Sequence, residues 1–316
     1  MFDAFRGGVH PPQRKTLSEN KSIINISVPQ LCYIPMQQHI GVPAKPIVEA
    51  GDVVTEGQLI GEAQGFVSAN VHASVPGKVI KISEELTAYS KQSTVVIEAD
   101  GAFSTTGSGR AYNDFHKIDR HDLLGMIRDY GIVGLGGAAF PTSIKLAPPP
   151  EMNIDTLIVN GAECEPYLTN DDILMNTYPD EIVEGILIAL KILGIKKCII
   201  GVEDNKKSAV EALNDAIKKI TTDSDITVRG LKTKYPQGAE KQLIYTILKR
   251  VVPSRGLPMD VGVAVQNVGT VYAIREAVVF NKPLIDRLIT VSGGMINKAG
   301  NYKVRIGTLI SDIVEE

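Results

Sequence analysis

Two apolar runs, Lys197-Cys-Ile-Ile-Gly-Val202 and Ile226-Thr-Val-Arg-Gly-Leu231, decide the fold of the larger part of this chain. Residues 205–220 between them carry apolar positions at helical spacing on one face, as an amphipathic helix does. A strand, a covering helix and a second strand predict a parallel β–α–β unit. The alternation extends outward, with a strand predicted at residues 156–159 and helices at residues 119–130, 180–193 and 238–248. We therefore predict an α/β domain over residues 119–285.

Residues 30–100 show a different pattern, in which short apolar runs are separated by Gly and Pro turns, and this predicts an all-β domain. The phrases Lys45-Pro-Ile-Val-Glu-Ala-Gly-Asp-Val-Val-Thr-Glu-Gly-Gln-Leu-Ile-Gly-Glu62 and Val71-His-Ala-Ser-Val-Pro-Gly-Lys-Val79 resemble the barrel-sandwich fold of biotinyl and lipoyl carrier domains. Those domains carry a modifiable lysine at a hairpin tip, where this chain has Phe66. Because no lysine lies between Lys45 and Lys78, we expect a docking or structural role instead of a swinging arm.

The rest of the chain divides into shorter segments. We predict an N-terminal arm for residues 1–29 and a linker for residues 101–118, which contain Ser104-Thr-Thr-Gly-Ser-Gly109. Residues 286–316 show the pattern of strand, turn, strand and helix start, which is typical of a partial β-grasp domain. We expect the chain to be part of a longer protein, because it stops inside this unfinished unit.

Composition limits the function classes. At 316 residues, with 44% hydrophobic and 22% charged residues, the chain fits two globular domains and a fragment. The net charge of -3 gives no basic field for nucleic acid. Cys32, Cys164 and Cys198 are too few for a four-cysteine zinc or iron–sulfur site. We expect a cytoplasmic protein, because the N-terminus lacks an apolar signal core and the apolar residues 182–193 are short and carry charges.

The segment Gly134-Leu-Gly-Gly-Ala-Ala-Phe-Pro-Thr-Ser-Ile-Lys145 is the most informative for function. Its glycines let a ligand approach the main chain, Pro141 suits the first position of a helix, and Lys145 adds a positive charge one turn later. The pattern predicts a site for a phosphate or another anion. A Gly-rich turn between helices is the alternative. A complete Rossmann unit is disfavoured, because Pro148-Pro-Pro150 stops the helix after about two turns.

Three further segments place polar groups at the ends of predicted elements. In Val159-Asn-Gly-Ala-Glu-Cys-Glu-Pro166 the polar residues follow a buried strand, where open α/β sheets bind ligands, although a solvated acidic loop is the alternative. The two acids beside Cys164 are expected to raise the pKa of its thiol. Tyr235-Pro-Gln-Gly-Ala-Glu-Lys-Gln-Leu243 and Val265-Gln-Asn-Val-Gly-Thr270 combine glycine, amide and carboxylate groups, and each also fits a turn with a cap.

Together these four segments resemble the flavin- and NADH-binding subunit of respiratory complex I, whose motifs read G-x-G-G-A-G-F-P-x-x-x-K, N-A-D-E-G-E-P, Y-x-x-G-E-E and N-N-V-E-T. With Phe5-Arg-Gly-Gly-Val-His-Pro-Pro12, Gln38-His-Ile-Gly-Val-Pro-Ala-Lys-Pro46 and the barrel-sandwich domain placed first, nearly the whole chain resembles the RnfC family of the Rnf electron-transport complex. The resemblance implies FMN in the α/β domain with NADH stacked on it, and hydride exchange between nicotinamide and flavin. Single electrons would then pass to [4Fe–4S] clusters, for which this chain has no ligands.

The resemblance also implies partners and site residues. The partners are the other subunits of a membrane complex, with ferredoxin reached indirectly, at the cytoplasmic face of the inner membrane. The residues that would pack against flavin and dinucleotide are Gly134, Gly136, Gly137 and Ala138, with Phe140 near the adenine and Lys145 on FMN. Asn160 and the catalytic candidate Glu163 would face the isoalloxazine ring, with Glu165 nearer NADH. The residues that would contact flavin and nucleotide are Tyr235, Gly238 and Glu240, and those at the ribityl-phosphate end are Gln266, Asn267 and Thr270.

Three positions depart from the complex I motifs, because Leu135 replaces an arginine, Ala162 an aspartate and Ala239 a glutamate. Because these charges are missing, a non-catalytic scaffold subunit is an alternative interpretation. The Na⁺-translocating quinone reductase has a related subunit of this kind, which lacks the flavin loop. The intact glycine loop favours the flavoprotein. A cobalamin reductase of the same superfamily is a third alternative, which is disfavoured because its flavin domain comes first.

Overall fold

The computed structural model describes residues 3–87, 90–101, 112–220 and 223–315. The chain divides into two compact units that are each built from separate stretches. The sandwich unit contains residues 24–143, 276–289 and 302–316, and the parallel-sheet unit contains residues 1–23, 144–275 and 290–301. The predicted linker segment 104–109 lies outside the described residues. The predicted domain boundaries stay a prediction.

The sandwich unit contains two facing β-sheets. Strand β1 (Ile23–Asn25) belongs to a third sheet, which is described below. The first sheet of the sandwich contains β2 (Leu31–Pro35), β4 (Val53–Val54), β7 (Gly77–Leu86) and β8 (Lys91–Ala99). The order of its strands is β2-β8-β7-β4. The other sheet, β3-β5-β6, is formed by β3 (Lys45–Pro46), β5 (Leu59–Glu62) and β6 (Val71–His72). Both sheets contribute to one apolar core, with Ile34 and Ile97 from the first and Ile60 and Val71 from the second. The predicted barrel sandwich is therefore confirmed.

Two helices follow the sandwich strands. Helix α1 (Arg120–Asp129) begins where the Asp119 carboxylate accepts the N–H groups of His121 and Asp122, close to the predicted bounds. Gly131 ends this region with φ 65°, and a side chain there would overlap the carbonyl oxygen of Asn70. Helix α2 (Thr142–Lys145) is a single turn, shorter than the two turns predicted, and it ends three residues before the prolines at residues 148–150.

The parallel-sheet unit is built on β9 (Thr156–Gly161), β10 (Lys197–Glu203), β11 (Asp225–Leu231) and β12 (Val263–Asn267) in the order β11-β10-β9-β12. All three neighbouring pairs are parallel, as the alternating pattern predicts. Strand β10 is buried at every position after Lys197, which fits a strand covered on both faces.

Five helices accompany this sheet, namely α3 (Asn170–Thr177), α4 (Pro179–Leu193), α5 (Lys207–Ile220), α6 (Glu240–Leu248) and α7 (Val268–Phe280), the last ending in the sandwich unit. Helix α4 begins at Pro179 and ends where Gly194 has φ 71°, as its sequence predicts. A side chain at Gly185 would overlap the carbonyl oxygen of Val271, so glycine permits the close approach of α4 and α7. The sequence pattern does not predict α3 or α7.

The last elements are β13 (Asp286–Val291), β14 (Gly300–Arg305) and α8 (Ile310–Glu315), which give the predicted succession of strand, strand and helix. They form a three-stranded sheet in the order β1-β14-β13, most of whose residues belong to the sandwich unit. Its completion as a β-grasp domain stays a prediction. Across the described ranges, no helix has both the length and the apolar composition that crossing a bilayer requires.

Candidate functional site

The carboxyl ends of the four parallel strands gather the polar loops of the parallel-sheet unit at one edge, which we call the strand-end site. Strand β9 leads into residues 162–169, β11 leads into residues 232–239, and β12 runs directly into α7. Ligands of open α/β sheets bind outside this edge, in the crevice that the loops leave. The structure thus brings eight predicted residues to the same edge, namely Asn160, Glu163, Glu165, Tyr235, Gly238, Glu240, Gln266 and Asn267.

Asn160 ties the loops after β9 and β11 together. Its Nδ2 donates to the Gly238 carbonyl oxygen at 2.8 Å, and its Oδ1 accepts the Ala162 N–H at 3.1 Å. The Gly238 N–H in turn donates to Cys164 Sγ at 3.2 Å. A side chain at Gly238 would meet that sulfur at 3.2 Å, so glycine lets the two loops approach. The amide therefore fixes the loop geometry, and its predicted contact with a ring edge stays a proposal.

Nearby carboxylates affect the pKa values of Tyr235 and Cys164 in this site. The charge of Glu165 and a hydrogen bond with its carboxylate raise the pKa of Tyr235. The pKa of Cys164 is also raised, as predicted, but burial is the main cause. The negative charges that contribute are Glu203 and Glu165, so the explanation from the two flanking acids is corrected.

Lys145 and Glu240, which are both predicted to contact the cofactor, form an ion pair. The Lys145 Nζ lies 2.8 Å from Glu240 Oε1 and 3.4 Å from the Val265 carbonyl oxygen. Their side chains are 30% and 38% exposed, so both ends of the pair are accessible to a ligand. The ammonium lies next to strand β12, where a phosphate oxygen would find a charged donor.

Polar side chains lie at the junction of β12 and α7. Asn267 Oδ1 accepts the Gly269 N–H at 2.8 Å, and Asn267 Nδ2 donates to Asp171 Oδ2 at 2.7 Å. Thr270 is buried in the first turn of α7. Gln266 is also buried, and its Nε2 has no hydrogen-bond acceptor in the part of the chain that the structure describes. An unsatisfied buried donor is costly, so this amide calls for an acceptor supplied from outside the protein.

The Glu163 carboxylate lies beneath its loop, with the side chain 2% exposed. Its Oε1 accepts the Asp171 N–H at 2.6 Å, while its Oε2 has no hydrogen-bond donor among the described residues. Burial, helped by the charge of Asp171, raises its pKa to about 7. The backbone at Glu163 has φ 50°, and the side chain points under the loop. The predicted position of this carboxylate beside a flavin ring stays a proposal.

Two buried lysines that sequence reasoning missed hold this loop from below. Lys15 Nζ donates to the carbonyl oxygens of Glu163 at 2.9 Å and Glu165 at 3.1 Å, and also to that of Leu168. Burial lowers the pKa of Lys15. Lys206 Nζ donates to the Ala162 carbonyl oxygen at 2.8 Å. Lys15 gives no local signal, because it lies in the N-terminal arm, whereas Lys206 follows a buried strand and could have been found from that position.

Lys206 also brings a second buried acid to this edge. Its Nζ lies 3.7 Å from Glu203 Oε2, and both side chains are 1% exposed. Burial raises the pKa of Glu203. The side chains of Lys15, Lys206, Glu163 and Glu203 thus lie together under the strand-end loops. The net charge of this buried group of four depends on pH.

The glycine loop, residues 134–140, belongs to the sandwich unit and forms a closed turn. The Gly134 N–H donates to the Phe140 carbonyl oxygen at 2.9 Å, and Val133 bridges to Pro141. Gly136, Gly137 and Ala138 are exposed at the tip. At Gly137 φ is 119°, and the space that a side chain would occupy is open.

Phe66, the residue at the carrier-lysine position, is 83% exposed between β5 and β6.

The donors present in each unit fit a flavin nucleotide. In the parallel-sheet unit, the orphaned Gln266 amide and the Lys145 ammonium offer donors for carbonyl and phosphate oxygens. In the sandwich unit, the main chain at Gly137 is open to a ligand. By contrast, the described residues hold no group of three or more His, Cys, Asp or Glu side chains that could bind a metal ion.

Two family descriptions match the chain. Residues 3–102 match the RnfC barrel sandwich hybrid domain, and residues 127–276 match the Nuo51 FMN-binding domain. The predicted fold class, a barrel sandwich followed by an α/β flavin-type domain, is confirmed by these matches.

Curated relatives match the whole chain, and all three described here are the C components of their complexes. The relative from the proton-translocating ferredoxin:NAD⁺ oxidoreductase complex of Clostridium ljungdahlii is 46% identical over 316 residues, covering 100% of this chain and 68% of that protein. The relative from the Na⁺-translocating ferredoxin:NAD⁺ oxidoreductase complex of Acetobacterium woodii is 45% identical, covering 99% of this chain and 70% of that protein. The relative from an ion-translocating oxidoreductase complex of Haemophilus influenzae is 38% identical, with 99% and 47% covered.

Solved structures add a fold match. An NAD⁺-reducing [NiFe]-hydrogenase in the air-oxidized state aligns with a TM-score of 0.56 at 26% identity, covering 65% of this chain and 39% of that chain. The H₂-reduced state aligns with a TM-score of 0.53 at 23% identity, covering 64% and 39%, which supports the fold alone.

Proposed function

Because this chain belongs to the RnfC family of ion-translocating ferredoxin:NAD⁺ oxidoreductase complexes, we propose that it is the FMN- and NADH-binding part of such a complex. The observation that carries the proposal is the match of residues 127–276 to an FMN-binding domain. Within that range, strands β9 and β12 bring amide groups to one sheet edge, and the Lys145–Glu240 ion pair lies next to β12. The reaction class is flavin-dependent oxidation or reduction of NAD(H), with single electrons passed onward.

We propose cofactor contacts separately for each unit. In the parallel-sheet unit, Lys145 and Glu240 offer an accessible ion pair, and Gln266 offers an unsatisfied donor for the ribityl-phosphate end of FMN. The remaining proposed contacts of this unit are Asn160, Glu163, Glu165, Tyr235, Gly238, Asn267 and Thr270. In the sandwich unit, the proposed contacts are Gly134, Gly136, Gly137, Ala138 and Phe140, whose loop leaves its main chain open.

When bound, FMN would supply the conversion between hydride transfer and one-electron transfer, which no protein side chain can perform. The protein orients the reactants and sets the local charge. Asn160 holds the strand-end loops in place, and the buried Lys15–Glu163 pair sets the charge beneath them. Glu163 would act from this position as a proton-holding group, since its pKa is raised to about 7.

The role of Glu163 has its own test. We expect Glu163→Gln to lower NADH-dependent dye reduction while the fold is retained, because the amide keeps the hydrogen bond from Asp171 but holds no exchangeable acid. Glu151→Gln, at an exposed loop position, is the matched control. Wild-type turnover in the Glu163 variant would remove this residue from the mechanism.

The relatives' names support a proposal about partners and location. Those names describe subunits of ion-translocating complexes, so we propose that this chain assembles with other subunits at the cytoplasmic face of a membrane. Ferredoxin would then exchange electrons with this subunit indirectly. The chain spans 68% of one relative and 70% of another. We propose that the iron–sulfur clusters implied by the resemblance are not bound by these 316 residues, whose three cysteines are too few to hold one.

The proposal is tested by mixing the purified chain with FMN, desalting it and adding NADH with a one-electron dye. We expect the protein to retain the yellow cofactor, to melt at a higher temperature with FMN, and to reduce the dye. A colourless protein whose melting temperature ignores FMN would instead support the scaffold alternative.

A further inference from the structure

A positive charge reaches the glycine loop from another part of the sandwich unit. The Arg287 Nη2, from strand β13, donates to the Leu135 carbonyl oxygen at 2.8 Å. Leu135 is the position where the complex I motif carries an arginine, and the chain lacks that charge in its loop. The structure therefore places a guanidinium at the same loop, from a residue 152 positions later in the sequence.

Most N–H donors of the Arg287 guanidinium have no acceptor among the described residues. Arg287 is exposed, and among the described residues the Leu135 carbonyl is its one hydrogen-bond acceptor, with no carboxylate within ion-pair distance. A guanidinium has five N–H donors, so one bond to a carbonyl leaves the planar fork available for a second acceptor. An exposed arginine fixed at one end and unpaired at the other is positioned for an anion.

The loop presents its own donors at the same place. Within the described ranges, the main-chain N–H groups of Gly136, Gly137 and Ala138 have no main-chain acceptor with hydrogen-bond geometry. All three residues are exposed. Successive free N–H groups in a turn form a concave anion site, and a neighbouring arginine adds the charge that such a nest lacks.

We propose that Arg287 is a binding residue of the glycine loop and holds a phosphate group of the bound nucleotide. The inference rests on the proposed function, because it takes a nucleotide cofactor as the ligand. The phosphate is either the monoester of FMN or the diphosphate of NADH, and these share the chemistry that a guanidinium fork recognises. Arg287 thus compensates for the charge lost at Leu135.

The test compares dissociation constants of the 316-residue chain for four ligands, namely FMN, riboflavin, NADH and reduced nicotinamide riboside. Wild type is compared with Arg287→Gln, whose amide can still donate to the Leu135 carbonyl but carries no charge. Arg287→Lys keeps the charge without the fork. Arg128→Gln, which removes an exposed charge paired with Asp129 in the same unit, is the matched control.

We expect Arg287→Gln to weaken binding about tenfold for one phosphate-bearing ligand and not for its phosphate-free counterpart, with an intermediate effect for Arg287→Lys. Loss of FMN affinity with riboflavin unchanged identifies the FMN phosphate, and loss of NADH affinity with the riboside unchanged identifies the diphosphate. Arg287→Gln within about twofold of wild type for all four ligands would overturn the inference while leaving the proposed function intact. A wild-type chain that binds none of the four would overturn both.

Discussion

The ammonium of Lys15 lies 3.7 Å from the carboxylate of Glu163, and the two side chains are 7% and 2% exposed. The lysine comes from the N-terminal arm and the acid from the loop after β9, so two distant segments meet under the strand-end site. A buried ion pair that loses one member leaves the other charge without compensation. The arm is therefore part of the machinery that shapes this loop.

Replacing Lys15 tests this relationship. We expect Lys15→Met to lower the free energy of unfolding by about 3 kcal/mol, because it strands Glu163 and removes the donor to three carbonyl oxygens. Urea unfolding measures the change. Lys218→Met, at an exposed pair with Asp215, should change stability by less than about 1 kcal/mol.

The double variant sharpens this prediction. Lys15→Met combined with Glu163→Gln should cost less than the sum of the single changes, because no charge remains buried alone. Strictly additive costs would show that the two side chains are not coupled.

The raised pKa of Glu163 predicts a pH effect on stability. Since its pKa is raised from 4.5 to about 7, the folded protein holds a proton that the unfolded chain has released between these values. Its contribution to stability is complete below about pH 4.5 and is lost as pH rises towards 7. The free energy of unfolding of wild type relative to Glu163→Gln should therefore fall with rising pH, by on the order of 3 kcal/mol. Parallel pH profiles of the two proteins would contradict this.

Lys145 separates ligand binding from stability. Its pair with Glu240 is partly exposed, so Lys145→Gln should change the free energy of unfolding by less than about 1 kcal/mol. If the ammonium contacts FMN, the same change should weaken FMN binding about tenfold. Flavin fluorescence titration and urea unfolding measure the two effects. Lys196→Gln, at the exposed pair with Asp223, serves as control, and equal FMN affinities in both variants would remove Lys145 from the site.

Two helical glycines should respond oppositely to alanine. Gly125 in α1 has open space where a side chain would lie, so Gly125→Ala should stabilise the protein by about 0.5–1 kcal/mol through helix propensity. Gly185 in α4 faces the Val271 carbonyl, so Gly185→Ala should destabilise by at least about 2 kcal/mol through overpacking. Thermal or urea unfolding gives both values. A stabilising Gly185→Ala would contradict the close approach of α4 and α7.

The elements that the sequence predicts best are those whose signal is local. Strand β10 has a continuous apolar run, and helices α1 and α4 have an apolar pattern together with a cap or a terminal glycine. The observed bounds of all three lie within one or two residues of the prediction. Helix α3 is not predicted from the sequence, because it has only 8 residues and its first turn is acidic. Helix α7 follows β12 without a turn, so its polar start resembles a loop.

The site shows the same division. The strand-end position of Asn160 follows from a buried strand and is visible in the sequence. The contacts of Lys15 with Glu163, of Lys206 with Ala162 and of Arg287 with Leu135 join residues that are 148, 44 and 152 positions apart. No local pattern carries that information. The inward turn of Glu163 depends on Lys15 and Asp171, so side-chain direction could not be read from its motif.

The most direct test of flavin-dependent NADH oxidation by this chain is an anaerobic titration of the FMN-loaded protein with NADH, followed by flavin absorbance. We predict that one FMN binds per chain and that its absorbance bleaches in proportion to added NADH until one equivalent is reached. A chain that binds no FMN, or that binds FMN whose absorbance NADH leaves unchanged, would contradict the proposed function.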